Sequence, residues 1–376
     1  MAEDLRRLLD TRRVLLCAGC GGVGKTTTCA ALGLAAARRG RRVLCLTIDP
    51  ARRLAESLGL ESVSGEAQQV SQEVFARAGI EVTGSLTMMM LDTKSTFDSL
   101  IASLAATPEK RDRIMNNVLY KYISTKLAGT QEYMAMEKLY AVKDDPNYDL
   151  ILLDTPPTSH ALDFFDAPER LVGAIDSPAV RWFLEAFQQS GHLSFNLLQR
   201  TAASIMRGIG RITGAGFLEQ VATFMGEINE LFGGWKQRAE RVSSALRGGD
   251  VGYILVTTPD PMSLREVAFF ADRLRQQGVL PSAFVVNRVH HKTDWDPNES
   301  DVSAALSANQ LELGAGGAAR IVAAARDEQQ LADLDSVHLS ALDDRSGHGV
   351  TVVKVPDFPR DIHDVSRLAW VADVLV

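Results

Sequence analysis

The residues best placed to do chemistry lie near the start of the chain, in the run Gly19-Cys20-Gly21-Gly22-Val23-Gly24-Lys25-Thr26. Its four glycines allow backbone N–H groups to curve around an anion, and a lysine and a threonine end the run. An apolar stretch, 14–18, precedes it, and a helical pattern, 27–39, follows it. A helix N-terminus adds partial positive charge. Strand, glycine-rich loop, Gly-Lys-Thr and helix together predict a phosphate-binding loop (P-loop).

In a P-loop the lysine reaches the β- and γ-phosphates and the next hydroxyl binds Mg²⁺, which assigns these roles to Lys25 and Thr26. The residues of this segment that we predict to contact a nucleotide are Gly19, Cys20, Gly21, Gly22, Val23, Gly24, Lys25, Thr26 and Thr27. The alternative is a glycine-rich turn with an accidental Lys-Thr. The flanking strand and helix favour the P-loop.

Two further apolar runs end in an aspartate, 42–48 before Asp49 and 148–153 before Asp154. Apolar runs with little alternation are typical of parallel strands covered on both faces. Ligands of open α/β sheets bind at the carboxyl ends of such strands. An aspartate there, beside a P-loop, holds Mg²⁺ directly or through water. We therefore predict that Asp154 shares a Mg²⁺ site with Thr26.

Alternating strand and helix patterns predict an α/β fold with a mostly parallel central sheet flanked by helices, as one P-loop domain over residues 1–376. Helical patterning at approximately 95–143 and 170–247 predicts an inserted helical subdomain. In the second insert apolar residues recur in steps of three and four from Phe217 to Leu246, and Gly233-Gly234 is expected to bend or split this helix.

The apolar stripes of these inserts have two interpretations. They pack on neighbouring helices, or they form an apolar groove for another protein or a membrane segment. The methionine run Met88-Met89-Met90 likewise fits core packing better than a metal or client site.

Composition excludes several classes of protein. The net charge of −7 implies no strongly basic face, so nucleic acid is not an expected partner. No apolar run reaches the length of a membrane span, and the first residues are acidic and unlike a signal peptide. We expect a cytoplasmic protein without an integral membrane segment.

Four cysteines, Cys17, Cys20, Cys29 and Cys45, lie in the first strand-helix-strand unit. Free thiols are the expected state in a reducing compartment. A metal bound by Cys17 and Cys20 is the alternative, but it would compete with the nucleotide.

Several motifs occur together in one order: the P-loop, Asp49-Pro50-Ala51, the segment 154–160, Val286-Asn287-Arg288 and the Val355-Pro356 loop. In these the chain resembles the ArsA-like ATPases, which include arsenite-pump ATPases and ATPases that guide tail-anchored membrane proteins. The resemblance spans nearly the whole chain. The segments 129–138 and 162–168 look closest to a bacterial branch of the family.

The resemblance implies ATP or ADP with Mg²⁺ as cofactors, and a homodimer or a heterodimer with a related ATPase that closes over ATP and opens after hydrolysis. Asp49 would position the attacking water and act with Lys25 and Asp154 in catalysis. The segment 155–160 would sense the γ-phosphate. Asn287 would read the adenine edge, the loop at Pro356 would cover the base, and Arg288 would be a further nucleotide contact.

The chain departs from the family pattern at three points. The family usually has a lysine, which reaches the partner's phosphates, where this chain has Cys20, and a missing cation predicts slow turnover. Ser159 replaces a common glycine. The thiols that would bind arsenite are not at the family's positions, which makes arsenite transport an unfavoured function. His160 is either a relay of switch movement or a hydrogen-bonded structural residue.

Three functional hypotheses remain. The first is an ATP-driven switch enzyme that changes its exposed apolar surface for a hydrophobic protein client, with an anion-pump subunit as a variant. The second is a near-inactive nucleotide-binding scaffold in a heteromeric complex. The third is a partition-type ATPase acting on DNA or a membrane face, which the acidic closing helix 363–374 disfavours.

Overall fold

The fold follows from apolar strands that alternate with amphipathic helices. The computed structural model describes residues 5–48, 58, 60, 65–126, 130–156, 166–170, 172–173, 176–178, 215–293, 295–346 and 350–376.

Eight strands of the described residues form one sheet. They are β1 (Val14–Gly19), β2 (Arg42–Thr47), β3 (Gln68–Gln69), β4 (Ser85–Met90), β5 (Leu150–Asp154), β6 (Val251–Thr257), β7 (Ala283–Val289) and β8 (Thr351–Pro356). Their order across the sheet is β3-β4-β2-β5-β1-β6-β7-β8. All neighbouring pairs are parallel except β3 with β4. The predicted mostly parallel sheet is confirmed.

Helices connect and cover the strands. In the described part of the chain they include α1 (Leu5–Thr11), α2 (Lys25–Arg38), α3 (Gln72–Arg77), α4 (Thr93–Leu104), α5 (Pro108–Asn116), α6 (Val118–Lys126), α7 (Thr130–Lys143), α8 (Ala215–Leu246), α9 (Pro261–Gln276), α10 (Glu299–Ala308), α11 (Gly317–Ser346) and α12 (Val365–Leu375).

Alternate residues of the central strands enter two separate cores, one on each face of the sheet. In β1, Leu15 and Cys17 pack with α1, α2 and α12, whereas Leu16 packs with α4–α9 on the opposite face. This burial on both faces explains why the strands are apolar without alternation.

The second core continues into a cluster of aromatic side chains between α4, α6, α7 and α8. Phe97 meets Tyr120 and Trp235 edge to face, with ring centroids 5.6 and 5.4 Å apart. Tyr133 lies 6.4 Å from Trp235. The apolar stripe of α8 from Phe224 to Leu246 is therefore buried against neighbouring helices, while the side chains at Phe217 and Val221 lie outside the described residues.

The expectation that Gly233-Gly234 splits this helix is wrong, because α8 runs unbroken through both residues. Each glycine costs about 1 kcal/mol in a helix, which the buried Leu231 and Trp235 on either side outweigh. The methionines at positions 88 and 89 are buried, as expected of core residues.

Candidate functional site

The glycine-rich loop connects β1 to α2 at the carboxyl edge of the sheet. At Gly19 a Cβ atom would lie 2.0 Å from the carbonyl oxygen of Val256 in β6, so the neighbouring strand leaves no room for a side chain. Gly22 and Gly24 have φ angles of 78° and 95°, which L-residues with a Cβ rarely adopt. These positions need glycine, which supports the predicted P-loop geometry.

The lysine of the motif is buried inside the loop. Lys25 has an exposed fraction of 7%, and its ammonium group donates a hydrogen bond of 2.7 Å to the carbonyl oxygen of Cys20. The cation is therefore held among backbone groups of the loop, where a desolvated positive charge binds an anion strongly.

The thiol of Cys20 points into its own chain. Cys20 is 6% exposed, and its sulfur donates a hydrogen bond of 3.7 Å to the carbonyl oxygen of Ser263 in the first turn of α9. A side chain in this orientation supplies no positive charge to the loop.

Beside the loop, Asp154 ends β5 next to the first turn of α2. The hydroxyl of Thr26 donates to its carboxylate oxygen Oδ2 at 2.6 Å, and the hydroxyl of Thr47, at the end of β2, donates to the same atom at 3.2 Å. Asp154 is only 4% exposed. The structure thus brings Thr26 and Asp154 together as the sequence predicted.

These oxygens fit a magnesium ion. A hydroxyl and a carboxylate are the hard oxygen donors that Mg²⁺ prefers, and Mg²⁺ uses one or two such protein ligands together with substrate phosphates. Thr26 and Asp154 lie in contact beside the phosphate loop, so the donor set and its place agree with the predicted site.

A cavity of about 790 Å³ extends from the P-loop toward the outer strands. It is lined by Gly24, Thr26, Thr27, Thr28, Asn287, Arg288, Pro356, Asp357, Phe358, Arg360, Asp361, Ile362, His363 and Val371. The three residues predicted beyond the P-loop, Asn287, Arg288 and Pro356, all lie in this wall. Its volume is within the range of pockets that hold small-molecule ligands and cofactors.

A local irregularity shapes this wall. The pairing of β7 with β8 shifts register between Val286 and Val289, and Arg288 adopts a positive φ of 59°. Such a bulge re-aims side chains next to a site. Asn287 is thereby turned toward the P-loop, where its amide nitrogen donates to the carbonyl oxygen of Val23 at 2.9 Å.

The four cysteines, which all lie in the described part of the chain, are buried thiols that form no disulfide. A hydrogen bond with Cys29, together with burial, raises the pKa of Cys17 well above its usual value. The pKa of Cys29 is also raised, because a hydrogen bond to Cys45 and burial outweigh the lowering effect of Cys17. Within the described ranges no group of three or more His, Cys, Asp and Glu residues is suited to a metal ion, which speaks against a site at Cys17 and Cys20.

Some predicted residues lie outside the described residues: Asp49, Ser159 and His160. The same is true of most of the segment 155–160, although Thr155 is described and its hydroxyl donates to the carbonyl oxygen of Cys17 at 2.9 Å.

Sequence reasoning missed Thr47. It predicted that the Pro356 loop covers the base, but it did not name the residues from Asp357 to His363 that line the cavity after Pro356. Thr47 carried a usable signal, because it is a hydroxyl residue at the end of an apolar strand, two positions before Asp49. The wall from Asp357 to His363 carries no comparable pattern in the sequence.

The site is linked to the helices that lie beside it. The side-chain amide of Gln131, in the first turn of α7, donates to the carbonyl oxygen of Ile48 at 3.4 Å. Further along α7 the buried Glu137 pairs with Arg238 of α8 at 2.6 Å. A chain of contacts therefore runs from the end of β2 to α8.

In this mostly parallel sheet the P-loop connects the central strand β1 to α2, and the neighbouring strand β5 ends in a carboxylate beside the loop. This arrangement defines a nucleotide-binding protein of the P-loop class. A sequence model of the family described as anion-transporting ATPase matches residues 12–312. The chain belongs to this family and is an ATPase.

The similar proteins are distant in sequence. The chain is 24% identical to "ATPase GET3" of Chaetomium globosum over 291 residues, and this aligned region covers 77% of each chain. It is 22% identical over 304 residues to "ATPase get3" of Pyrenophora tritici-repentis, which covers 80% of each. It is 29% identical over 166 residues to "ATPase ASNA1 homolog 1" of Paramecium tetraurelia, which covers 44% of this chain and 46% of that protein.

None of the described helices has both the length and the apolar character needed to span a membrane.

Proposed function

We propose that the chain is a dimeric ATP-driven switch whose hydrolysis of ATP is coupled to the binding and release of an apolar protein client. The contact between Thr26 and Asp154 at 2.6 Å beside the buried Lys25 carries this proposal, because it joins the phosphate loop to the strand end where Mg²⁺ is held. The partner is a second copy or a related ATPase.

In this proposal each residue has one task. Lys25 stabilises negative charge on the phosphates, and backbone N–H groups of the loop hold their oxygens. Thr26 and Asp154 would hold Mg²⁺, which when bound neutralises phosphate charge. Asp49 orients the attacking water, and Asn287, Arg288 and Pro356 contact the adenosine part. Phosphoryl transfer depends mainly on such positioning and electrostatics.

The domain organisation belongs to the same proposal. Residues 1–376 form one P-loop ATPase domain, with a helical subdomain from the inserts at approximately 95–143 and 170–247 that offers apolar surface to the client. The contacts of Gln131 and Arg238 support a connection from the site to these helices. Tail-anchored membrane proteins are the proposed client class, by the resemblance stated above. A cytoplasmic location and a place in a bacterial branch stay predictions.

Calorimetry with Mg·ADP and with a non-hydrolysable ATP analogue tests the site. We expect Lys25→Ala to weaken binding by about a hundredfold or more, because it removes a buried cation from the phosphates. Asp154→Asn should remove the dependence of binding on Mg²⁺. Lys292→Ala is the matched control, since this lysine pairs with Asp333 at 2.6 Å on the surface and does not line the cavity. Equal affinities for the wild type and Lys25→Ala would contradict the proposal.

A second function is favoured by one observation, the inward-facing thiol of Cys20. A chain without a charge at this position fits a subunit that binds ATP and hydrolyses little of it in a heteromeric complex. Transport of an anion, as in the family description, would require an anion in place of the apolar client, and the thiols of this chain are not at the positions where the resemblance would place an arsenite site.

A further inference from the structure

We propose that Asn287 is a positioning residue that fixes the shape of the P-loop, an inference that rests on the nucleotide site proposed above. Its amide nitrogen donates to the carbonyl oxygen of Val23 at 2.9 Å, across 264 positions of sequence. The same amide lies so close to Gly24 that a Cβ atom there would be 2.3 Å from its nitrogen. Asn287 therefore contacts the loop at two successive residues.

The loop needs such a support from outside. Gly24 is the N-cap of α2 and has a φ of 95°, and among the described residues no side chain caps this helix end. Glycines lose more conformational freedom on ordering than any other residue, and they have no side chains to pack. A hydrogen bond from a fixed neighbour restricts the loop to the conformation whose N–H groups face the phosphates.

Asn287 is itself well fixed. It follows the buried Val286 in β7 and sits in the bulge between β7 and β8. On the far side of the bulge the backbone N–H of Asp357 donates to the carbonyl oxygen of Val289 at 3.0 Å. Beyond it, His290 contacts the carboxylate of Asp335 in α11 at 2.9 Å. The side chain is therefore presented to the loop from a rigid strand end.

A role of Asn287 in shaping the phosphate loop predicts an effect on nucleotide affinity that recognition of the base alone would not produce. A residue that only recognises adenine affects the preference for adenine. A residue that shapes the phosphate loop affects every nucleotide by the same factor, whatever its base.

The experiment measures dissociation constants for Mg·ADP and Mg·IDP by competition, in the wild type, Asn287→Ala and Asn287→Asp. Hypoxanthine, the base of IDP, presents a carbonyl oxygen and a ring N–H where adenine presents an amino group and a ring acceptor. The two nucleotides share the same phosphates, so comparing them separates recognition of the base from binding of the phosphates. Asn309→Ala is the matched control, because that amide also donates to a backbone carbonyl, of Ala305 at 2.8 Å, and does not line the cavity.

We expect Asn287→Ala to weaken binding of Mg·IDP about tenfold through the loop. Binding of Mg·ADP should weaken by at least as much, because the proposed contact with the adenosine part is lost as well. Asn287→Asp should weaken both further, because a carboxylate offers no N–H to Val23 and repels the phosphates. This isosteric variant also decides the question if the alanine variant does not fold. Loss of Mg·ADP binding alone, or no loss in either nucleotide, would overturn the inference. A wild type that binds neither nucleotide would instead overturn the proposed site, and this inference with it.

Discussion

At the scale of single residues, Cys20 separates this chain from the pattern it otherwise follows. Its thiol is buried against the carbonyl oxygen of Ser263, so it adds no charge where phosphate charge develops. Cations supplied to a phosphoryl-transfer site are worth about 10³–10⁵ in kcat when they come from a partner. Within the phosphate loop itself, Lys25 is therefore the residue that supplies positive charge, to which Mg²⁺ would add when bound.

We predict that Cys20→Lys raises kcat for ATP at least about tenfold in the purified protein, because a lysine at this position must leave the pocket beside α9 and present its charge to a phosphate. Steady-state phosphate release measures the effect. Cys20→Ala separates loss of the thiol from gain of the cation, and it should not raise kcat above the wild-type value. A fast wild type, or a lysine variant no faster than the alanine variant, would show that no cation is missing.

At the scale of elements, α8 shows what a local pattern can and cannot predict. Its apolar stripe was visible in the sequence, and the residues from Phe224 to Leu246 are buried as expected. Of the predicted bend or split at Gly233-Gly234, the split was wrong, because propensity is local whereas the aromatic packing around Trp235 comes from residues more than a hundred positions away.

The same helix gives a paired prediction. A Cβ at Gly233 meets no atom of the described residues within 4 Å, whereas a Cβ at Gly234 lies 3.1 Å from a methyl group of Leu104 in α4. Gly233→Ala should stabilise the protein by about 0.5–1 kcal/mol by improving helix propensity. Gly234→Ala should gain less, because Leu104 must move. Urea unfolding of the two variants measures this difference, and equal gains would mean that α4 and α8 are less closely packed than the structure indicates.

The start of α9, which also receives the Cys20 thiol, depends on Asp260. Its carboxylate accepts hydrogen bonds from the backbone N–H groups of Met262 and Ser263 at 3.1 and 2.9 Å. Burial opposes ionisation, but these bonds and the one from the hydroxyl of Thr258 outweigh it and lower the pKa of Asp260 below its usual 3.8. A lowered pKa in the folded state means that this stabilisation is present above about pH 4 and is lost as the pH falls through the lowered value.

We predict that Asp260→Ala costs about 1 kcal/mol of unfolding free energy at neutral pH, the usual value of an N-cap. Asp260→Asn keeps a capping oxygen and does not titrate, so it should be close to the wild type in acid and should fall below it by at most a few tenths of a kcal/mol at pH 7. Urea unfolding between pH 3 and 7 gives both numbers. A difference between wild type and the asparagine variant that does not change with pH would contradict the assigned titration.

At the scale of the whole molecule, the mostly parallel sheet and the place of the P-loop could be predicted because most strands are continuous apolar runs. The exception is the two-residue β3, Gln68–Gln69, which carries no apolar signal in the sequence. The strand order could not be predicted, since it is set by contacts between distant segments. The bond of Asn287 to Val23 spans 264 positions, and no spacing in the sequence indicates it. Thr26 and Asp154 were paired correctly because a strand that ends in an aspartate is known to lie beside a P-loop. The polar residues from Asp357 to His363 belong to no such motif.

The contacts from the site to the helices give the last prediction, which concerns the molecule in two nucleotide states. Ile48, the residue before Asp49, accepts the hydrogen bond of Gln131, and α7 is joined to α8 through Glu137 and Arg238. A ligand shifts a conformational equilibrium only through contacts that differ between states, and the γ-phosphate is the group that differs between ADP and ATP.

Binding of a hydrophobic dye and protease sensitivity should therefore differ between the protein with Mg·ADP and the protein with a non-hydrolysable ATP analogue. Gln131→Ala should reduce this difference while nucleotide affinity stays near that of the wild type, because the residue touches the backbone beside the site and not the cavity. Identical dye binding in both states of the wild type would exclude a switch, and an unchanged response in Gln131→Ala would exclude this route.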